Sequence, residues 1–352
     1  MTEVPTSGNE PHHVGITGPS AEVLGAGGLL SVLKQQPEWY FFSLSDPTKP
    51  TLVTSSDPPL GGCADDLRPY EDGFLATEMC SPAGGAPGRV AKFNSSLMLV
   101  GEFPMDPPAG LNPHGITIDP SRQRMVTSDF IVPSTTLAPS TAPTFRSTFR
   151  VWDLANMSII YTGDLCRNAS GIIDARLLRN SGVVILSSGQ GVLYGVDILE
   201  PTHPVAFTAG GTFHEMFAPF ANGTRLLVTL INDSLVQLYD SSDPWHLHLL
   251  QEYQMPPGSS PHFVSISPDE RMAFVSTYFL DEGSKGLVHF KGSRMVYLFD
   301  LAPDGCSFAP NPAVPTIDFK SAVSELTGNW GCGSWRPHGG VFKQGSHSGP
   351  TA

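Results

Sequence analysis

The sequence predicts an all-β chain folded as a β-propeller, a single domain of six or seven four-stranded blades with seven the favoured number. Three observations predict it. One motif recurs along the chain at a spacing of about 50 residues, the length of a four-stranded blade. Within it, apolar and polar residues alternate at period two between Gly, Pro and Asp turns. The 352 residues include 36 Gly and 33 Pro but only 15% charged residues, a balance that suits short strands and many turns better than long helices.

The motif opens on a Pro-His step and an alternating strand, then turns at Pro-Asp. A second apolar strand ends in Ser or Thr, and after a gap an aromatic-rich strand closes the repeat. The clearest copy runs Ser260-Pro261-His262 to Pro268-Asp269, then Met272 to Ser276, then Met295 to Leu301. Another runs Asn112-Pro113-His114 to Asp119-Pro120, then Arg124 to Ser128, then Phe149 to Leu154. The first copy opens at Pro11-His12-His13 and closes at Trp39 to Leu44; a weaker one opens at Phe213-His214 and closes at Leu235 to Asp240. Degenerate copies open near Cys63 and Ile173, and Arg336-Pro337-His338 opens a copy that never closes. Only Glu22 to Lys34, with Leu24, Leu29, Leu30 and Leu33, hints at a helix, against which its glycines argue. Inserts at 133–146 and 279–292 fall between second and third strands and read as surface loops placed to cover one mouth. The propeller is expected over residues 10–345, with flexible ends at 1–9 and 346–352.

The formal net charge of −13 and the lack of a Lys/Arg cluster argue against nucleic acid and anionic membrane as partners, and favour a small neutral or cationic substrate. No stretch is long and apolar enough to span a bilayer, and Met1 to Glu10 has no apolar core of a secretory signal. Five widely spaced cysteines, Cys63, Cys80, Cys166, Cys306 and Cys332, with no paired spacing, argue against a disulfide framework and for a reducing, cytoplasmic compartment.

The first strand of each blade lines the channel of a propeller, so a residue type repeated at its start converges in space. Here that residue is histidine: His12, His114, His262 and His338 each follow proline, His214 follows Phe213, and His13 adds a further imidazole. Neutral imidazole is a common ligand of copper, iron and zinc, and a cluster without a run of carboxylates suits copper, with iron the alternative. The competing explanation is a structural Pro-His step copied by duplication. In the degenerate copies Cys63, aligned by matching Pro69 with Pro120 and Pro268, and roughly Ile173 take the histidine position. Cys63 is then a thiolate ligand, a redox partner or a small buried residue. Asp65, Asp66 and Asp174 are placed to accept hydrogen bonds from the imidazoles, or are turn and strand-end aspartates.

Several stretches resemble the selenium-binding protein/methanethiol oxidase family. They are Asn112-Pro113-His114-Gly115-Ile116, Met125 to Phe130, Thr148 to Leu154, Ser276 to Leu280 with Gly286 to Phe290, and the adjacent imidazoles of Glu10-Pro11-His12-His13. The resemblance spans about residues 10 to 345. It implies a seven-bladed propeller with a copper site of channel histidines; by matching position the ligands are His12 or His13, His114, His262 and His338, with His214 a further candidate. Enzymatic members oxidise methanethiol with O₂ to formaldehyde, hydrogen sulfide and hydrogen peroxide. Two departures stand out. Gly15-Ile16-Thr17-Gly18 replaces a cysteine-containing segment, and the strands that precede the His-His step are missing, which leaves an incomplete seventh blade or six blades plus an extra C-terminal strand.

The leading expectation is therefore a metal-dependent oxidoreductase acting with O₂ on a small substrate, sulfur-containing if the resemblance extends that far. The alternatives are a non-enzymatic propeller scaffold with structural histidines, and a metal-dependent lyase or hydrolase using a carboxylate such as Glu215 or Asp174. No Gly-x-Ser-x-Gly elbow or phosphate-binding glycine loop precedes a helix.

Overall fold

The computed structural model describes residues 11–17, 22–29, 37–136, 143–165, 171–208, 213–277, 280–282, 287–290, 292–319 and 337–343. The tails expected at 1–9 and 346–352 lie outside them. Six sheets follow one another along the chain. Blade 1 holds β1 (Pro11–Thr17), β2 (Val23–Gly28), β3 (Trp39–Ser43) and β4 (Thr51–Ser56). Blade 2 holds β5 (Gly62–Tyr70), β6 (Gly73–Cys80), β7 (Arg89–Phe93) and β8 (Leu99–Phe103). Blade 3 holds β9 (Pro113–Asp119), β10 (Arg124–Asp129), β11 (Thr148–Asp153) and β12 (Ser158–Asp164). Blade 4 is β13 (Ala175–Leu178), β14 (Val183–Leu186), β15 (Val192–Asp197) and β16 (Val205–Thr208). Blade 5 is β17 (His214–Pro219), β18 (Arg225–Leu230), β19 (Leu235–Asp240) and β20 (His248–Gln254). Blade 6 pairs β21 (Val264–Ile266) with β22 (Met272–Ser276), interrupted by the hairpin β23 (Leu280–Glu282) and β24 (Leu287–Phe290). It continues through β25 (Met295–Leu301), whose outer edge takes both β26 (Phe308–Pro310) and β27 (Thr316–Asp318). Among the described residues no helix is long and apolar enough to cross a membrane.

Burial explains the layering. The second strand of a blade is covered on both faces, so β6 is buried throughout, whereas outermost β4 has no buried residue. Apolar side chains fill the wedges between blades; Trp39, Phe41, Phe74 and Phe93 pack together between blades 1 and 2. Val23–Gly28, where the sequence hinted at a helix, is the strand β2. Its glycines are required by close approach: a Cβ at Gly27 would lie 2.9 Å from the Trp39 ring and 3.0 Å from the Asp65 carbonyl oxygen, and one at Gly25 would lie 2.4 Å from Leu67. Both inserts start between second and third strands, at β10–β11 and β22–β25, as expected.

The blade count is six, not the favoured seven. The Pro337-His338 start builds no sheet: residues 337–343 run as an irregular segment inserted between blade 6 and blade 1. There Ser276 Oγ donates to the His338 carbonyl at 2.5 Å, Gly339 N donates to the His12 carbonyl at 3.2 Å, and Lys343 Nζ donates to the Leu44 carbonyl at 2.7 Å. The unclosed repeat is thus a plug in the seam of the ring.

One repeated device ties neighbouring parts of the ring, and it accounts for the Ser or Thr near the end of the second strands of blades 2, 3, 5 and 6. Thr77 Oγ1 donates to the His114 carbonyl at 2.6 Å, Ser128 Oγ to the Ile173 carbonyl at 3.0 Å, and Thr229 Oγ1 to the His262 carbonyl at 2.6 Å. Each hydroxyl also accepts an N–H from its own blade: Asp66 N on Thr77, Gly115 N on Ser128 and Met216 N on Thr229. Thr229→Val keeps the shape but strands a buried donor and a buried acceptor. We expect a loss of about 2–6 kcal/mol in urea unfolding, from about 1–3 kcal/mol per unsatisfied group. A loss within 0.5 kcal/mol of wild type would show that the strap is replaced by water.

Candidate metal centre

A bulge repeated at the start of the innermost strands builds the site. In β1, His12 and His13 fall between the paired residues Pro11 and Val14, whose partners on β2 leave room for Gly27 alone. The same two-against-one step places Asp65-Asp66 opposite Thr77, His114-Gly115 opposite Ser128, and Glu215-Met216 opposite Thr229. Such a bulge turns the extra residue out of the ladder. Two residues ahead of it the backbone is left-handed at Cys63, Gly171, Phe213 and Ser260, with φ of 57°, 72°, 59° and 53°. By this register, and by the hydroxyl straps, the equivalent positions are His12, Asp65, His114, Ile173, Glu215, His262 and His338. Six blades and the C-terminal plug thus supply seven positions.

Two expected assignments change. In blade 2 the histidine position belongs to Asp65, not Cys63, and in blade 5 to Glu215, not His214. The turn after β5 is two residues long, Glu71-Asp72, whereas four residues separate Asp119 from Arg124, so Pro69 and Pro120 are not equivalent. Only the backbone of His214 and Glu215 is described. Cys63 is not a thiolate either: it forms a disulfide with Cys80, with a Cα–Cα distance of 5.5 Å. The expectation of no disulfide is overturned, and with it the cysteine argument for a reducing compartment. Cys306 is free and exposed; Cys166 and Cys332 lie outside the described residues.

Histidines 12, 13, 114, 262 and 338 are brought together, all buried. Ring centroids of His12 and His338 are 3.7 Å apart, those of His12 and His13 4.7 Å, and those of His262 and His338 4.4 Å. The Nε2 atoms of His262 and His338 approach to 2.7 Å. Ring nitrogens of His12, His13, His262 and His338, one from each, all lie within 4.8 Å of one another. A second set with the same closeness joins His12, Asp65 and His114. Asp65 Oδ2 is 3.4 Å from both His12 Nε2 and His114 Nε2, and Asp65 Oδ1 is 3.1 Å from His13 Nδ1. His114 Nδ1 is 2.6 Å from the Ile173 carbonyl, so it carries the proton and Nε2 presents a lone pair to the centre. Phe130 and Phe263 wall the cluster beside His114 and His13.

Burial holds the imidazoles of His12, His13 and His262 well below the ordinary histidine pKa. His338 adds to this at His12 and His262, while Asp65 opposes it at His12 and Asp66 at His13. These rings are therefore neutral at pH 7, the form that binds metal. Asp65 is fully buried, and neither carboxylate oxygen has a hydrogen bond among the described residues.

Behind the histidines lies a layer of ion pairs. Asp66 Oδ2 is 3.0 Å from Arg68 Nη2 and 3.2 Å from Arg176 Nη1, and Asp174 Oδ1 is 2.6 Å from Arg176 Nη1. Burial alone would raise the Asp66 pKa, but Arg68 and Arg176 together hold it below the ordinary value. Asp66 lies 3.8 Å from His13 Nδ1, whereas Asp174 is occupied by Arg176, Ala175 N and Phe217 N and ties blade 4 to blade 5. A cavity of about 520 Å³ opens on the far side of this layer, lined by Arg68, Arg176, Phe217 and Phe263 among others.

Away from the histidines, Glu38, Glu78 and Glu102 are buried together near the blade 1–2 seam. Burial, then the charges of Glu102 and Glu38, push the Glu78 carboxyl well above its ordinary range. With its folded pKa raised, the stability it contributes is full below the unfolded value of about 4.3 and is lost as pH rises through the folded one. Glu78→Gln keeps an acceptor for Trp39 Nε1. It should raise the unfolding free energy at pH 7 by the order of 1 kcal/mol and flatten the profile between pH 5 and 7, measured by urea unfolding. A lower stability at pH 7 would contradict this.

No family model matches the chain, and no curated protein does. Solved structures share its fold. A hypothetical selenium-binding protein from Sulfolobus tokodaii superposes with a TM-score of 0.72 over 88% of this chain and 81% of that one, at 14% identity. A functionally unknown protein from Desulfotomaculum acetoxidans DSM 771 superposes with a TM-score of 0.57 over 87% of each chain, at 10% identity. At such identities the likeness is one of fold.

Proposed function

We propose that the chain is a metal-dependent oxidoreductase that uses O₂ on a small substrate, with copper, or iron as the alternative, held by His12, His13, His262 and His338. One observation carries this: four buried histidines bring one ring nitrogen each within 4.8 Å of one another, beside a buried Asp65 whose oxygens make no hydrogen bond among the described residues. A nitrogen-rich donor set suits copper and iron, and the ion, when bound, supplies one-electron chemistry and reactivity toward O₂. The chain's own residues do the rest. His114, oriented by the Ile173 carbonyl, offers a lone pair at Nε2, and Phe130 and Phe263 keep water from the rings. The buried setting restricts the substrate to a small molecule; small thiols are the first to test, given the selenium-binding fold neighbour. A hydrolytic role for Asp174 is disfavoured, since both of its oxygens are already engaged.

The test is metal analysis of the purified protein together with His262→Ala and His338→Ala, followed by O₂ uptake with a panel of small thiols. We expect stoichiometric copper or iron in wild type, at least a tenfold loss of affinity in each variant, and O₂ uptake only from the loaded protein. A well-folded protein that binds no metal would sink the proposal. Bound metal without O₂ uptake on any small substrate would leave a binding protein or scaffold.

A further inference from the structure

The six donors do not form one compact set. An ion with ligands at about 2.1 Å would draw even opposite donors to about 4.2 Å. Yet the donors separate into two sets, His12 with His13, His262 and His338, and His12 with Asp65 and His114, that have only His12 in common. In the second set the donors are fixed. His114 offers Nε2, because Nδ1 is bound to Ile173, and both it and His12 Nε2 lie 3.4 Å from the same Asp65 oxygen. His12 Nδ1 is buried and makes no hydrogen bond among the described residues, so its second nitrogen is available as well.

Resting on the four-histidine centre proposed above, we infer that the site takes two metal ions, the second bound by Asp65, His114 and His12 Nε2, with His12 joining them. A ring nitrogen binds one ion, so a shared His12 uses Nδ1 for the first and Nε2 for the second, and the neutral ring gives up its single N–H proton to solvent. The disulfide then has a place in the design: Cys63 lies two residues ahead of Asp65 and pins the strand that delivers it.

Copper(II) titration tests this, with weakly held ions, such as any on exposed His246, removed on chelating resin before copper is counted and electron paramagnetic resonance recorded. Wild type should retain two copper ions per chain, with a spin signal well below the copper content because a bridging imidazole couples the pair. Asp65→Asn and His114→Ala should each retain one, with the full signal of an isolated ion and an unchanged melting profile in at least one of them. One ion per chain in wild type would overturn the second site and leave the four-histidine centre standing. No retained copper would defeat both. Two ions with full, uncoupled signals would refute the sharing of His12.

Discussion

The contribution of three buried histidines to the unfolding free energy of the metal-free protein is expected to fall as pH drops through 6.5, at a rate that approaches about 4 kcal/mol per pH unit near pH 5.5. Each buried histidine that stays neutral in the folded chain but takes up a proton when unfolded contributes about 1.4 kcal/mol per pH unit. His12, His13 and His262 all have folded pKa values well below the ordinary one, with burial the first cause. The sign follows directly. Above about pH 6.5 the rings are neutral in both states, and stability does not depend on them. As pH falls below that value the unfolded chain binds protons and the folded chain does not, so stability drops until the folded pKa values are reached. Urea unfolding at pH 7.5, 6.5 and 5.5 measures the slope. Protonation also competes with metal at the same nitrogens, so added copper or zinc should move the acid limb to lower pH. A flat profile between pH 7.5 and 5.5 would show that the rings take up protons in the fold, and would remove the case for a neutral imidazole centre.

If the histidines hold an ion, the same geometry couples metal binding to ring closure. His338 sits on a segment that, among the described residues, joins no sheet, held by Ser276 on one side and by the His12 carbonyl on the other. An ion bound to His338, His262 and His12 joins that plug to both blades it separates. The seam between the first and last blades, where the ring closes, then coincides with the proposed metal centre.

Much of this was legible in the sequence, because duplication repeats the physical requirements of a blade. The alternating strands, the Pro-His steps and the terminal Ser or Thr each recur because each blade needs an inner strand, an axial residue and a tie to its neighbour. Five of the six expected histidines meet at the axis; the sixth, His214, has only its backbone described. What was hidden depended on register. The turn anchored on Pro69 suggested Cys63 as the axial residue, but that turn is two residues shorter than its counterpart after β9. The usable signal was the flanking pattern: Ala64-Asp65-Asp66-Leu67 has the same small-polar-polar-apolar order as Pro11-His12-His13-Val14. The Cys63–Cys80 bridge was hidden because its partners are 17 residues apart in sequence and meet only when β5 pairs with β6. Blade count was hidden because a blade start and a plug share the same Pro-His-Gly residues; whether a sheet follows decides between them.

Arg176→Met should cost about 3–5 kcal/mol of stability in the metal-free protein, the range for removing one partner of a buried ion pair. Arg176 lies between Asp66 and Asp174 and is itself buried, so its loss leaves two buried carboxylates with one fewer cation. Asp66 keeps its ion pair with Arg68, whereas Asp174 keeps the N–H groups of Ala175 and Phe217 and the more distant charge of Arg68. Charge counting around the axis then makes a second, opposite prediction. Asp65, Asp66 and Asp174 face Arg68 and Arg176, a net of −1 with neutral histidines, and the substitution makes it −2. A cation at the histidines is attracted more strongly, so the variant should bind metal more tightly, by about tenfold, or about 1.4 kcal/mol, while being less stable without it. Urea unfolding with and without copper separates the two effects: the variant should start lower and gain more. Arg176→Met combined with Asp174→Asn should recover part of the stability and lose the extra gain. An equal metal-induced gain in wild type and Arg176→Met would show that the ion-pair layer and the histidine centre are electrostatically independent, and that the arginines serve only to hold the blades together.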